Sequence, residues 1–213
     1  MSRDEARALD RRLCDLYGLS RCLLLGRARA GIAALLDEVG GPLMAPSNLC
    51  PAVVAAARAA GAPLLLVPVS PHSGLAPAAG FRDRMRVRPG PGVAMPAHLC
   101  GYEAEGRALA PVAAETGWFV LENDTLMVAA PRGPGGRTPF GDAVLVSFGA
   151  AKTAEAGVGG ALLTDDPALA RALAARIAHW PVPDAETWAV ETDLTMIRRH
   201  ARRLGRPGLA ETL

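Results

Sequence analysis

The stretch SFGAAKTAEAGVGG, residues 147–160, contains Lys152, the single lysine among the 23 Lys and Arg residues of the chain. An ammonium on a flexible stem can lose its proton when desolvated and attack a carbonyl to form an imine; a guanidinium cannot. Arginine serves almost every other cationic position, so imine chemistry is a reason for lysine to stand here. The residues just before it, AVLVSF (143–148), read as a strand. In open α/β sheets, ligands bind beyond the carboxyl ends of the strands. The competing reading is an ordinary solvated lysine in a loop.

Other chemistries find less support. GRARAG (26–31) has the outer-glycine spacing of a phosphate loop but no Lys-Ser/Thr after it. There is no Gly-x-Ser-x-Gly elbow, no His-Glu-x-x-His and no dinucleotide fingerprint. His72, His98, His179 and His200 are not at metal-ligand spacing, which leaves metal catalysis without a motif.

The elements that must position Lys152 follow from hydrophobic periodicity. Residues 4–17 place Ala6, Leu9, Leu13 and Leu16 on one helical face. Short apolar runs then alternate with helical patterns. Strands are predicted at 22–26, 42–45, 63–69, 93–97, 118–123, 143–148 and 160–164. Helices are predicted at 28–39, 51–61, 103–116, 166–180 and 193–204, with the Pro-, Gly- and Arg-rich stretch between residues 70 and 92 read as a long loop. Residues 131–141, PRGPGGRTPFG, also read as a loop. Strands this short and uniformly apolar suit a sheet buried on both faces. The expected fold class is therefore α/β, a three-layer α/β/α arrangement around a mostly parallel seven-stranded sheet.

Composition narrows the setting. At 213 residues and 50% hydrophobic, the chain can bury one substantial core. A net charge of +2 with 4% aromatics gives no electrostatic footprint for nucleic acid. The charged, amphipathic N-terminus lacks a signal-peptide core, and no apolar run is long enough for a membrane span. Cys14, Cys22, Cys50 and Cys100 form no Cys-x-x-Cys pair and read as reduced thiols, so a cytoplasmic location is expected.

Taken together, several blocks resemble the DegT/StrS-type sugar aminotransferases, pyridoxal-phosphate enzymes of fold type I. SFGAAKTAEAGVGGALLTDD is similar to that family's Ser-Phe-x-x-x-Lys…Gly-x-Gly-Gly segment. LYGLSRCLLLGRARAGIAALL, APSNLCPAVVAAARAAGAPLLLV and VAMPAHLCGYEAEGRALAPVAAETGWFVLEND match further family blocks in order and spacing. The resemblance implies that Lys152 holds the cofactor as a Schiff base and then shuttles the substrate's α-proton. It implies that Ser147 and the backbone amides of Arg27 and Ala28 bind the cofactor phosphate. Arg27 or Arg29 could add a charge-assisted contact where the family's small hydroxylated residue is missing; either could equally be a solvated helix-start charge. His98 matches a family histidine, and a structural role is the favoured reading.

Three departures accompany the resemblance. An aspartate normally meets the pyridine nitrogen; ungapped counting puts Asn123 there, while a bulge would bring in Asp124. Cys50 stands nearest the position of the aromatic that stacks on the ring. The match covers the family's large domain, expected over residues 1–165, and leaves residues 166–213 as a helical remnant in place of the smaller C-terminal domain. Arg198, Arg199, Arg202, Arg203 and Arg206 cluster in that remnant, as a solvated face or a docking surface. The implied protein is a pyridoxal-phosphate-dependent, aminotransferase-like enzyme of amino-sugar or natural-product biosynthesis. It would act as a homodimer or with a partner chain supplying the missing domain. The alternatives are a non-catalytic scaffold of the same fold, or a pyridoxal-phosphate enzyme of dehydration or elimination type.

Overall fold

Helix α1 (Arg3–Tyr17) starts on a capping box, in which Ser2 Oγ accepts from the Glu5 amide and Glu5 Oε2 accepts from the Ser2 amide. Gly18, at φ 58°, ends it in the left-handed conformation that glycine adopts without strain. The computed structural model describes residues 2–99, 101–126, 138–149 and 151–180, together with 186, 189–190, 193, 196–197, 200 and 204–205. After α1 the chain runs through β1 (Arg21–Leu25), α2 (Ala28–Val39), β2 (Leu43–Pro46), α3 (Pro51–Ala59) and β3 (Leu64–Val67). It continues with α4 (Ala78–Val87), β4 (Val93–Ala94), α5 (Ala110–Thr116) and β5 (Phe119–Asn123). The last elements are β6 (Ala143–Ser147), β7 (Gly160–Thr164) and α6 (Pro167–Ala178).

The seven strands form one sheet in the order β1-β7-β6-β5-β4-β2-β3. Pairing is parallel from β3 to β6, and β7 runs antiparallel to both β6 and β1. This is the three-layer, mostly parallel α/β architecture expected from the apolar runs. Alternation along β6 explains why those runs carry no polar positions. Ala143 and Leu145 pack into the layer of α2, α3 and α6, while Val144 and Val146 pack under α1 with Leu13 and Tyr17. Both faces are covered, so both sets of side chains must be apolar. Each fully buried Val or Leu contributes about 1.5–3 kcal/mol of transfer free energy. The face opposite α2 is completed by α4 and α5, through Phe81, Met85, Val112 and Ala113.

Three predicted elements need correction. The stretch read as one long loop contains α4, whose Ala78, Phe81 and Met85 form a narrow buried stripe between the half-buried Arg82 and Arg84 and the exposed Arg86. The helix expected at 103–116 is a 3₁₀ turn at Gly106–Ala108 followed by the short α5, with Pro111 in its first turn. The fourth strand is only two residues long and stops short of Pro96, which has no amide to continue a ladder. Most of the helix expected at 193–204, and the arginines clustered there, lie outside the described residues, as do residues 131–137 of the predicted loop. Among the described residues no helix is long and apolar enough to cross a membrane.

Candidate functional site

The strand ends that follow β1, β2, β5 and β6 lie on one edge of the sheet. Together they enclose a cavity of about 150 Å³ lined by Arg27, Ala28, Cys50, Asn123, Ser147 and Lys152. An adjoining cavity of about 80 Å³ shares Cys50, Asn123 and Lys152 and adds His98. Of the seven residues singled out from the sequence, six therefore meet in one cavity. Asp124 does not.

Lys152 reaches the cavity through a tight turn after β6. Its amide donates to Gly149 O at 3.3 Å, and Ala151 before it sits at φ 62°. A left-handed conformation costs a non-glycine residue roughly 1–2 kcal/mol, so the turn holds the lysine at some expense. The Lys152 side chain is half-buried, and no carboxylate among the described residues pairs with it. Burial pushes its pKa below the ordinary 10.5, with a smaller opposite influence from Cys50. The result is an amine that loses its proton more readily than a surface lysine does.

Facing it is the start of α2. The N-cap residue Arg27 is extended and makes no side-chain cap; its carbonyl accepts from the Ala30 amide at 3.0 Å, and no cap side chain covers the amides of Ala28 and Arg29. Such a helix start carries partial positive charge and suits an anion. Arg27 adds a half-buried guanidinium whose pKa is pressed down by burial and then by the neighbouring Arg29. Gly160 allows the approach of helix to sheet. A Cβ there would lie 2.7 Å from Ala28 N and 2.8 Å from Val146 O, against backbone that cannot swing aside. Ser147, paired with Gly160 across the ladder, presents its hydroxyl at the same place and accepts from the Gly149 amide at 3.3 Å. An amine, a helix start and a hydroxyl thus share one small cavity, a set of groups able to hold a phosphorylated aldehyde.

The sequence matches the DegT/DnrJ/EryC1/StrS aminotransferase family over residues 2–187. The chain belongs to that family. Among solved structures, 3-amino-5-hydroxybenzoic acid synthase is 26% identical, with a TM-score of 0.70 over 85% of this chain and 48% of that one. DesI, solved in the presence of its TDP-sugar product, is 25% identical, with a TM-score of 0.70 over 82% of this chain and 45% of that one. A DegT/DnrJ/EryC1/StrS aminotransferase from Brucella abortus is 21% identical, with a TM-score of 0.71 over 93% and 62%. The chain spans about half the length of these solved relatives. No match is found among curated protein sequences.

The sites around the end of β5 show where this DegT/DnrJ/EryC1/StrS family member departs from the expected pattern. Asn123 lines the cavity, whereas Asp124 is fully buried and accepts from Tyr17 Oη at 2.7 Å. Glu122 is also fully buried, and its Oε2 accepts from the Phe140 amide at 2.8 Å. Its Oε1 lies 2.9 Å from His98 Nε2. His98 Nδ1 accepts from the Ala104 amide at 2.9 Å, so the ring proton sits on Nε2 and is donated to Glu122. Both ring nitrogens are thereby committed to holding the loop after β4, the structural role favoured from the sequence. Cys50 is the exposed N-cap of α3, and no aromatic stands in its place beside the cavity. Sequence reasoning missed Gly160 and the Tyr17–Asp124 contact. The first was visible in the Gly-x-Gly-Gly run; the second joins residues 107 positions apart and had no local signal.

Proposed function

We propose that this chain is the cofactor-holding large domain of a pyridoxal-phosphate-dependent, aminotransferase-like enzyme. Its substrate class would be an amino-sugar precursor or a related natural-product ketone. That class is taken from two relatives, one described with a TDP-sugar product and one as an aminobenzoic acid synthase. The observation that carries the reading is the meeting of Lys152, Ser147 and the uncapped start of α2 in a single cavity. The residues fit the group chemically. Lys152 supplies an amine for the aldehyde, while Ser147 and the Arg27 and Ala28 amides supply donors for the phosphate. When bound, pyridoxal phosphate withdraws electrons from the carbon bearing a substrate's amino group, making its proton removable. Lys152 would be the group placed to take that proton and return it. We further propose division of the chain at residue 165, and completion of the site by a second copy or by a chain carrying a smaller domain.

The test is the absorbance of the purified chain with added pyridoxal phosphate, followed by borohydride reduction and peptide mapping. A visible band that disappears in Lys152→Ala, with the reduced label on Lys152, is the expected result. Because the chain has no second lysine, side-chain labelling cannot be confused with a neighbour. Absence of a band in the native chain, alone and with a second copy at high concentration, would overturn the reading in favour of a scaffold. The lowered Lys152 pKa sets the pH dependence. A base with a depressed pKa is already largely neutral at pH values where a free lysine is still protonated. Trapping should therefore reach half its maximal rate at a pH below 10.5.

A further inference from the structure

The segment closing β5 reads Glu122-Asn123-Asp124, two carboxylates around one amide. Period-two alternation sends the carboxylates to one face of the sheet and the amide to the other. Both carboxylates are occupied on their own side, Glu122 by His98 and the Phe140 amide, Asp124 by Tyr17. The register is pinned on both flanks of Asn123. Its amide donates to Pro96 O at 3.0 Å, its carbonyl accepts from the His98 amide at 3.1 Å, and the Asp124 amide donates to Leu145 O at 2.9 Å. A one-residue slip that brought Asp124 to the cavity would break these bonds and tear Asp124 from the Tyr17 hydroxyl. The group that meets the cavity is therefore an amide.

The orientation of that amide is also determined. Asn123 Oδ1 accepts from the Thr125 amide at 3.2 Å, so the oxygen is turned along the chain. Nδ2 is left as the donor, and its acceptor among the described residues is the soft Met95 sulfur at 3.9 Å. A side-chain NH₂ can only donate, and a carboxamide does not ionise near neutral pH. A pyridine nitrogen meeting it must bring a lone pair, not a proton.

Resting on the function proposed above, we infer that Asn123 holds the cofactor's ring nitrogen as an unprotonated acceptor, so that the site works with a neutral pyridine ring. An aspartate at the same position would favour the protonated ring, because an adjacent opposite charge stabilises the cationic form. A neutral ring withdraws electrons less strongly than a pyridinium. Removal of the substrate's α-proton by Lys152 is correspondingly slower here than in an Asn123→Asp variant. Asn123 thus becomes a residue that sets which reactions the site can run.

The experiment uses the full chain loaded with pyridoxal phosphate that is isotope-labelled at the ring nitrogen. The ring-nitrogen NMR shift is read across the neutral pH range for the native protein and for Asn123→Asp. The Thr125 amide can donate to a carboxylate as well as to the amide oxygen, so the variant keeps its local bond. The expected result is a free-pyridine shift in the native protein and the full change to a pyridinium shift in Asn123→Asp, with the visible band kept in both. A pyridinium shift in the native protein overturns the inference and leaves the proposed function standing. An unchanged shift in a variant that retains the band does the same, because Asn123 is then not the ring contact. Loss of the band in the native protein overturns both together. Should Asn123→Asp fail to fold, the native shift alone decides.

Discussion

The two edges of the sheet offer cavities of opposite character. At the amino-terminal edge of the parallel strands, a groove of about 720 Å³ runs past Leu19, Trp118, Asp142, Asp165 and Asp166. The cavity holding Lys152, at the other edge, is about a fifth of that size. Three carboxylates make the larger groove look the richer site. Each of them is already engaged in holding the fold. Asp142 Oδ2 accepts from the Val120 amide at 2.7 Å and Asp165 Oδ1 from the Ser20 amide at 2.7 Å, while Asp166 caps α6 through the Ala168 and Leu169 amides. In the smaller cavity a half-buried amine, with no carboxylate paired to it among the described residues, meets a helix start that has no side-chain cap. Polar groups not used to build the fold, rather than volume, mark the edge where chemistry can occur.

The sharpest way to break that contrast is Gly160→Ala. The added methyl meets the Ala28 and Val146 backbone, so α2 must move away from β7. Overpacking of this kind costs about 1–3 kcal/mol. The displaced helix start should also lower phosphate affinity, so that pyridoxal phosphate binds more weakly than its loss of stability alone would explain. Denaturant unfolding and a cofactor titration on the same preparation separate the two effects. Native-like cofactor affinity in a destabilised Gly160→Ala protein would show that the α2 start is not the phosphate site.

A smaller effect is expected from Tyr17→Phe. It removes the hydroxyl that donates to Asp124 and leaves a fully buried carboxylate with one donor fewer, at about 1–3 kcal/mol. Asn123 on the opposite face keeps its own bonds, so cofactor affinity should change little. Parallel loss of stability and affinity would mean that the two faces of β5 are not independent.

Which parts of this could be read from the sequence follows from the range of the interactions. The central strands were legible because burial on both faces leaves an unbroken apolar run, and runs such as AVLV need no partner to be recognised; the edge strands β1 and β3 are partly exposed but kept their apolar runs, and β4 proved shorter than its run. Helix α4 was not, because only Ala78, Phe81 and Met85 are buried among arginines and the flanking Pro and Gly residues imitate a loop. That Lys152, Ser147, Arg27 and Ala28 come to one cavity was legible because each sits near the end of a recognisable strand. The choice between Asn123 and Asp124 was not, since it turns on which face Tyr17 and Leu145 occupy, and those residues are far away in the chain. Gly160 was visible as a residue but not as a contact, because the backbone it admits belongs to α2.

The smallest effect probes the large groove itself. Asp166 is the N-cap of α6, a position where replacing the carboxylate by a methyl typically costs about 1 kcal/mol. Asp166→Ala should lower the unfolding midpoint by a corresponding amount, because α6 brings Leu169 and Leu173 into the core against α2. Helix α2 has its start at the Lys152 cavity and its end, Val39, in the wall of the groove. Together with β5 and β6, it is an element through which loosening at the groove could reach the Lys152 cavity. If the groove is only scaffold, the visible cofactor band and the pH dependence of Lys152 trapping will be unchanged in Asp166→Ala while stability falls. A shifted trapping profile would instead mean that the α6–α2 contact sets the position of the helix start, and the two edges of the sheet would then have to be treated as one coupled site.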